Sequence, residues 1–410
     1  HGPDPNLGVA LTHGHGHGHG HDGPVKPASE PVRRLLVLLL VPAALATVIG
    51  LILLYPFGDG PPTIPSQQPV NGAVTATAKS ACAAGADPAE AATEDCIALT
   101  IRMTDGPLPG RSMVQVVSSS PTVPHFSVGD QIVLAWSGTE PTSPDSYQVV
   151  DFQRDGPLIW LAVLFAVAVI LLGRWRGLAA LVALGLTFVV LLAFVLPAIL
   201  AGKDPLGVAI VGSCVVMFVV LYLTHGFSAR TSTAVLGTLV SLGLIGLFSA
   251  LFTGLTKLTG LDEETSNLIA NLPNGVDVRG LLLAGMIIGA LGVLDDVTVT
   301  QTSAVWELHA ANPAMGASRL FRSAMRIGRD HVASAVNTLV LAYAGAALPL
   351  LLVFSLAGRS VGDILSTQSI ATEVVRTLVG SIGLVASVPI TTALAAAVAS
   401  REVPARRPTA

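Results

Sequence analysis

Asp295 and Asp296 stand side by side in the run Leu281 to Gln301, which has no other charged side chain. An ionised carboxylate in hydrocarbon costs at least ~2.5 kcal/mol on the mildest insertion scale, so such residues usually face a polar cavity or a partner charge. At helical spacing Asp296, Thr300, Ser303 and Glu307 share one face, a polar stripe of the kind that carries a proton or a cation. The competing reading ends the helix near Leu294 and lets the aspartates cap a following cytoplasmic helix. The next apolar stretch opens with Asp330-His331 and carries Ser334, Asn337 and Thr338. An imidazole beside a carboxylate accepts a proton or ligates a cation near neutral pH, whereas a lone histidine at a helix start is an interfacial hydrogen-bonder. The candidate path is therefore Asp295, Asp296, Thr300, Ser303, Glu307, His331 and Asn337.

A second constellation lies at the N-terminal end, where His13, His15, His17, His19 and His21 alternate with glycine. A flexible chain bearing five imidazoles wraps a borderline divalent ion such as Zn²⁺, Ni²⁺ or Co²⁺, and the alternative is an inert disordered tail. Cys82 and Cys96 enclose 13 residues, a loop whose closure by a disulfide is worth about 3 kcal/mol. Only His125 is near enough in sequence to extend a metal set, so a bridge is expected. Cys214 reads as a small buried hydrophobe.

These residues must be positioned by membrane helices. Hydrophobic residues make up 51% of the 410-residue chain, charged residues 12%, and mean hydropathy is +0.69. Soluble domains carry roughly 25% charged residues. Apolar runs approaching the ~20 residues that span a bilayer lie at 35–55, 158–173, 178–200, 206–224, 233–256, 280–301, 332–356 and 371–399, which predicts eight membrane helices. With both termini inside, thirteen Lys and Arg residues fall in cytoplasmic segments against four in the short outer loops, the bias that orients membrane proteins. The first apolar run follows Arg33-Arg34 as a signal peptide would, but it exceeds the ~7–15 residues of a signal core and reads as an uncleaved anchor. The net charge of −4 and the absence of a basic run interleaved with aromatics argue against nucleic acid.

The organisation that follows is a tail (1–32), an anchor (33–55), an outer domain (56–157), a seven-helix membrane domain (158–400) and a second tail (401–410). In the outer domain, short β-type runs at Gly72–Ala78, Ile97–Met103, Ser112–Ser118, Gln131–Trp136 and Tyr147–Phe152 predict a small β-barrel of the OB kind. Before the seventh span, Arg319, Arg322, Arg326 and Arg329 share one arc opposite Leu320, Ala324, Ile327 and Gly328. That pattern predicts a basic amphipathic helix on the anionic inner leaflet. Gly285, Gly289 and Gly292 predict close helix packing, and Glu373 and Arg376 an ion pair three residues apart.

The order of features resembles the YibE/F-like membrane proteins. The resemblance rests on Tyr147-Gln-Val-Val-Asp-Phe-Gln-Arg154, Gly289-Ala-Leu-Gly-Val-Leu-Asp-Asp-Val297, Phe321-Arg-Ser-Ala-Met-Arg-Ile-Gly-Arg-Asp330 and Asn337-Thr-Leu-Val-Leu-Ala-Tyr-Ala-Gly345, covering roughly residues 70 to 356. The family motif has a single Asp where this chain has two, and Asp296, directly before Val297, takes its place. The resemblance implies a multipass protein of the bacterial cytoplasmic membrane and brings no established reaction with it. No P-loop, HExxH or paired Ser/His/Asp constellation is present, so the chain does not read as an enzyme. The expected function is secondary transport or permeation of a cation, a divalent metal among them, or of a proton-coupled solute. The alternative is a non-transporting scaffold or sensor whose outer domain binds a ligand or an envelope protein. The bilayer is the expected partner, with a homo-oligomer also open.

Overall fold

The computed structural model describes residues 29–58, 67–82, 96–121, 123–261, 275–356, 358 and 360–402. The histidine tract lies outside the described residues. Helix α1 (Glu30–Leu54) is followed by five strands, β1 (Gln68–Ser80), β2 (Cys96–Met103), β3 (Ser112–Ser118), β4 (Gln131–Trp136) and β5 (Tyr147–Phe152). They form one antiparallel sheet in the order β3-β2-β1-β4-β5. The sheet curls until its outer strands β3 and β5 approach each other, giving a half-barrel. Period-two alternation sends Val70, Val74, Leu99, Ile101, Ile132 and Leu134 inward, where they are buried with Tyr147. The five predicted runs are these strands, the first extended at both ends.

Cys82 and Cys96 are bridged, with Cα atoms 5.2 Å apart. Since Ser80 pairs with Cys96 in the β1–β2 ladder, the bridge staples the open end of that pair. Where the sheet hands over to the helices, the Arg154 guanidinium forks onto the Asp151 carboxylate (2.8 Å from Nη2 to Oδ1) and lies over the Phe152 ring. That contact holds the Asp151 carboxyl below its ordinary value.

The membrane half contains α2 (Asp155–Val190), a π-turn (Leu191–Val195), α3 (Leu196–Leu200), α4 (Pro205–His225), α5 (Ala229–Leu255), α6 (Val278–Ala311), α7 (Ala317–Ala346), α8 (Leu348–Leu356), the short α9 (Val361–Leu365) and α10 (Gln368–Ala399). Among the described residues six helices are long and apolar enough to cross a membrane, rather than the eight expected from the apolar runs. Two physical causes account for the difference. The runs 158–173 and 178–200 join into one stretch, Asp155–Leu200, of 46 residues. At ~1.5 Å per residue a straight helix of that length would measure ~69 Å, more than twice a bilayer core. The stretch is not straight: Arg174 has non-helical angles (φ 52, ψ −128), and the break brings Gly177 so close to Val169 that an added Cβ would meet its carbonyl. The run 332–356 is in turn fused to the basic segment before it, since nothing between Gly328 and Val332 interrupts helical hydrogen bonding. The predicted surface helix and seventh span are thus one helix, α7, followed by α8.

At the centre α5, α6 and α10 pack against one another. Gly237 faces Thr391 and Gly383 faces Ile245, so α5 and α10 run antiparallel with their backbones close. Thr238 Oγ1 meets Thr298 Oγ1 at 2.8 Å, and Thr392 Oγ1 donates to Gln301 Oε1 at 3.0 Å, stitching the three helices together with buried polar contacts. The close packing expected at Gly285, Gly289 and Gly292 is not what those glycines do. Space beside Gly292 is open, and the tips of Arg376 and Tyr343 lie over Gly285 and Gly289. Spacing alone marks a smooth face without saying what covers it.

Candidate functional site: a half-open cavity between the helices

Helix α6 runs unbroken from Val278 to Ala311, so Asp295 and Asp296 sit within it and cap nothing. A cavity of about 900 Å³ opens between the part of α2 beyond Arg174, α4 and α6, and both carboxylates line it. Thr300 and Ser303, one and two turns further along α6, line it as well. Asp295 is the more enclosed of the pair, and its Oδ1 is buried without a hydrogen-bond partner. Asp296 is exposed on the helix surface, with Oδ2 3.7 Å from His331 Nε2 on α7. That separation is an ion-pair distance and too long for a hydrogen bond, in keeping with the unpartnered Nε2.

The other walls add polar groups. Ser213 of α4 is buried with its Oγ unpartnered, and the mouth carries Arg176, Thr224, His225 and Arg230. Local geometry sets that mouth. Helix α4 starts at Pro205 behind Asp204, whose carboxylate accepts from the Gly207 amide, and stops at Gly226 (φ 72), a left-handed position that suits glycine. Ser228 caps α5 by accepting from the Thr231 amide at 3.0 Å. This three-residue reversal places His225 and Arg230 together at one end of the bundle. At the deep end the π-turn at Leu191–Val195 brings Val195 against Gly212, where a Cβ would lie 2.8 Å from the valine methyl. Single-turn π distortions of this kind concentrate at functional sites.

Of the predicted path, Asp295, Asp296, Thr300 and Ser303 meet at the cavity and His331 reaches Asp296 from the opposite side. Glu307 lies beyond the cavity, and Asn337 is exposed on α7 away from it. Arg319, Arg322, Arg326 and Arg329 are exposed on α7, opposite the buried Leu320, Ala324 and Gly328, while Ile327 is exposed rather than covered. Glu373 and Arg376 form the expected pair at 3.1 Å and border a second cavity of about 470 Å³ toward the other end of α6. A narrow void bordered by Leu294, Tyr343 and Arg376 adjoins the second cavity, with which it shares Tyr343 and Arg376; it shares no lining residue with the first. Sequence reasoning missed Ser213, Arg176, His225 and Arg230 as site residues. Among the described residues no three His, Cys, Asp or Glu side chains converge as a metal set.

Long apolar helices, a β half-barrel between the first and second of them, and a cavity reaching charged side chains define an integral membrane protein of the polytopic helical class. The YibE/F-like protein family matches residues 161–401, more than half of the chain, and the chain belongs to that family. The match begins beyond the outer domain and runs through α10, so it is displaced toward the C-terminus from the 70–356 expected. No curated protein and no solved structure matches the chain.

Proposed function

We propose that the protein is a permease whose solute or ion passes through the inner cavity and exchanges with the carboxylates Asp295 and Asp296. The observation that carries this reading is the cavity itself, which reaches two adjacent carboxylates in the middle of α6, one of them with a buried, unpartnered oxygen. Carboxylates in such positions mark ion and proton pathways. On this proposal the second cavity, toward the opposite end of α6, supplies a second mouth. In this reading the reversal at Arg174 makes Asp155–Leu200 two spans, the α7–α8 segment supplies another, and eight spans place both termini and the α7 arginines in the cytosol. The α7 arginines then rest on anionic lipid headgroups. The strand order is the one an OB barrel has, and an accessory binding role for that domain is favoured by its lying outside the family match.

The test is flux into proteoliposomes loaded with a pH-sensitive dye or with divalent-cation indicators. Wild-type protein is expected to pass protons or cations down an imposed gradient, with Asp295→Asn and Asp296→Asn each lowering the rate at least ~10-fold. Equal flux in wild type and both variants, or none under any gradient, removes the permease reading.

A further inference from the structure

The inner cavity carries both signs of charge. Arg176 and Arg230 contribute two positive charges and Asp295 and Asp296 two negative ones, so with His225 neutral the formal sum is 2 − 2 = 0. Neither arginine has an ion-pair partner among the described residues. A path for a bare cation gains from walls of one sign, which concentrate the ion, and two free guanidiniums at the entrance would repel it. The volume, about 900 Å³, is that of a site for a small organic molecule.

We infer that the cavity takes a small dipolar solute, its cationic group held by Asp295 and Asp296 and its anionic group by Arg176 and Arg230. The inference rests on the permease reading and names the substrate class of that same site. Its geometry is set by α4 and α6, which start at one level: an added Cβ on Gly280 would lie 3.2 Å from Pro205 Cδ. From that level Asp295 is fifteen residues along α6 and His225 twenty along α4. The difference of five residues puts His225, which lines the mouth with the two arginines, ~7.5 Å further along the bundle than Asp295 at 1.5 Å per residue. The unpartnered Asp295 Oδ1 accepts from an ammonium, and deeper in the cavity the buried, unpartnered Ser213 hydroxyl offers a separate polar contact. At the mouth the guanidiniums offer paired N–H donors that match a carboxylate or a phosphate. The same dipole occurs on free amino acids and on the headgroup of an aminophospholipid.

Isothermal titration of the purified full-length protein separates these cases. The probes are 4-aminobutyrate and 6-aminohexanoate, with butyrate and butylammonium as single-charge controls. The zwitterions are expected to bind at least ~10-fold tighter than either control, because only they engage both charged ends. Arg230→Gln and Arg176→Gln are each expected to weaken 6-aminohexanoate ~10-fold without weakening butylammonium, with Arg230→Lys retaining most of the affinity. Retained butylammonium binding is also the control for folding of each variant. Binding in phosphatidylglycerol nanodiscs that disappears when phosphatidylethanolamine is added assigns the dipole to the lipid headgroup; binding that persists assigns it to a soluble solute. Butylammonium binding as tightly as the zwitterions, or no probe binding at all, overturns the dipolar inference. Proton or cation flux that still depends on Asp295 would then leave the permease reading standing, whereas loss of that flux dependence fails the permease reading on its own.

Discussion

Replacing Gly383 by alanine probes the helix packing that holds the cavity wall in place. The added Cβ would lie 2.1 Å from Ile245 Cγ1 and 2.4 Å from Cδ1. Carbon atoms in contact sit ~3.5–4 Å apart, so about 1.5 Å of relief is needed. Ile245 is 1% exposed and packs in one buried cluster with Ile287, Leu294 and Val379, so any shift of its side chain displaces buried neighbours. Overpacking of this kind costs ~1–3 kcal/mol. Alanine also recovers up to ~1 kcal/mol of helix propensity over glycine. A required shift of this size puts the steric cost in the upper part of its range, so the net loss comes to ~1–2 kcal/mol. Ile245→Ala alone leaves a cavity and costs ~2–5 kcal/mol. Combined, the new methyl enters the space the isoleucine vacates, and the pair is expected to be more stable than the sum of the single effects by ~1–3 kcal/mol. SDS titration of the protein in mixed micelles, followed by tryptophan fluorescence, measures all four corners of the cycle. Additive effects, or a Gly383→Ala protein as stable as wild type, would show that α5 and α10 do not meet at these residues.

The disulfide closes a loop of 15 residues counted from Cys82 through Cys96, for which the chain-entropy relation gives ~3 kcal/mol. Cys82→Ser with Cys96→Ser is therefore expected to make the outer domain protease-sensitive at a lower temperature while the helical circular dichroism holds; unchanged protease resistance would show that the staple adds nothing. At the sheet-to-helix junction, Arg154 keeps the Asp151 carboxyl below its ordinary value of 3.8, so the stabilising contact is present above that pH and is lost as pH falls through the depressed value. Arg154→Ala is expected to raise the Asp151 midpoint toward 3.8 in carboxyl-carbon NMR, and an unmoved midpoint would mean that the fork does not form in solution.

The strands were legible because alternation of buried and exposed side chains is a local signal, and the five runs bounded by Gly, Pro and Asp turns are the five strands of the sheet. The carboxylate pair was legible for the opposite reason, as charge in a segment that otherwise has none. The approach of His331 to Asp296 followed from two polar faces on neighbouring helices. What the sequence hid was tertiary. Arg176 and Arg230 look like ordinary topology-setting arginines, and only the reversal at Gly226 and the break at Arg174 turn them toward one cavity. The Gly285, Gly289 and Gly292 pattern misled, since small residues permit approach without naming a partner. The fusion of the basic segment with the next apolar run also escaped, because Gly328 lacks the backbone penalty of proline and sits inside the helix.

Water access to Asp295 and Asp296 from the cytosolic side of the bundle is the central claim, and labelling by a membrane-impermeant charged maleimide measures it. Thr300→Cys lines the cavity, whereas Leu378→Cys lies on the exposed apolar face of α10, where lipid excludes the reagent; both are made in a Cys214→Ala background. In inside-out vesicles the cysteine at 300 is predicted to react at least ~10-fold faster than the one at 378, following the partition of a charged group between water and hydrocarbon. Equal rates at the two positions, or reaction at 300 only in right-side-out vesicles, would contradict a cavity that opens to the cytosol.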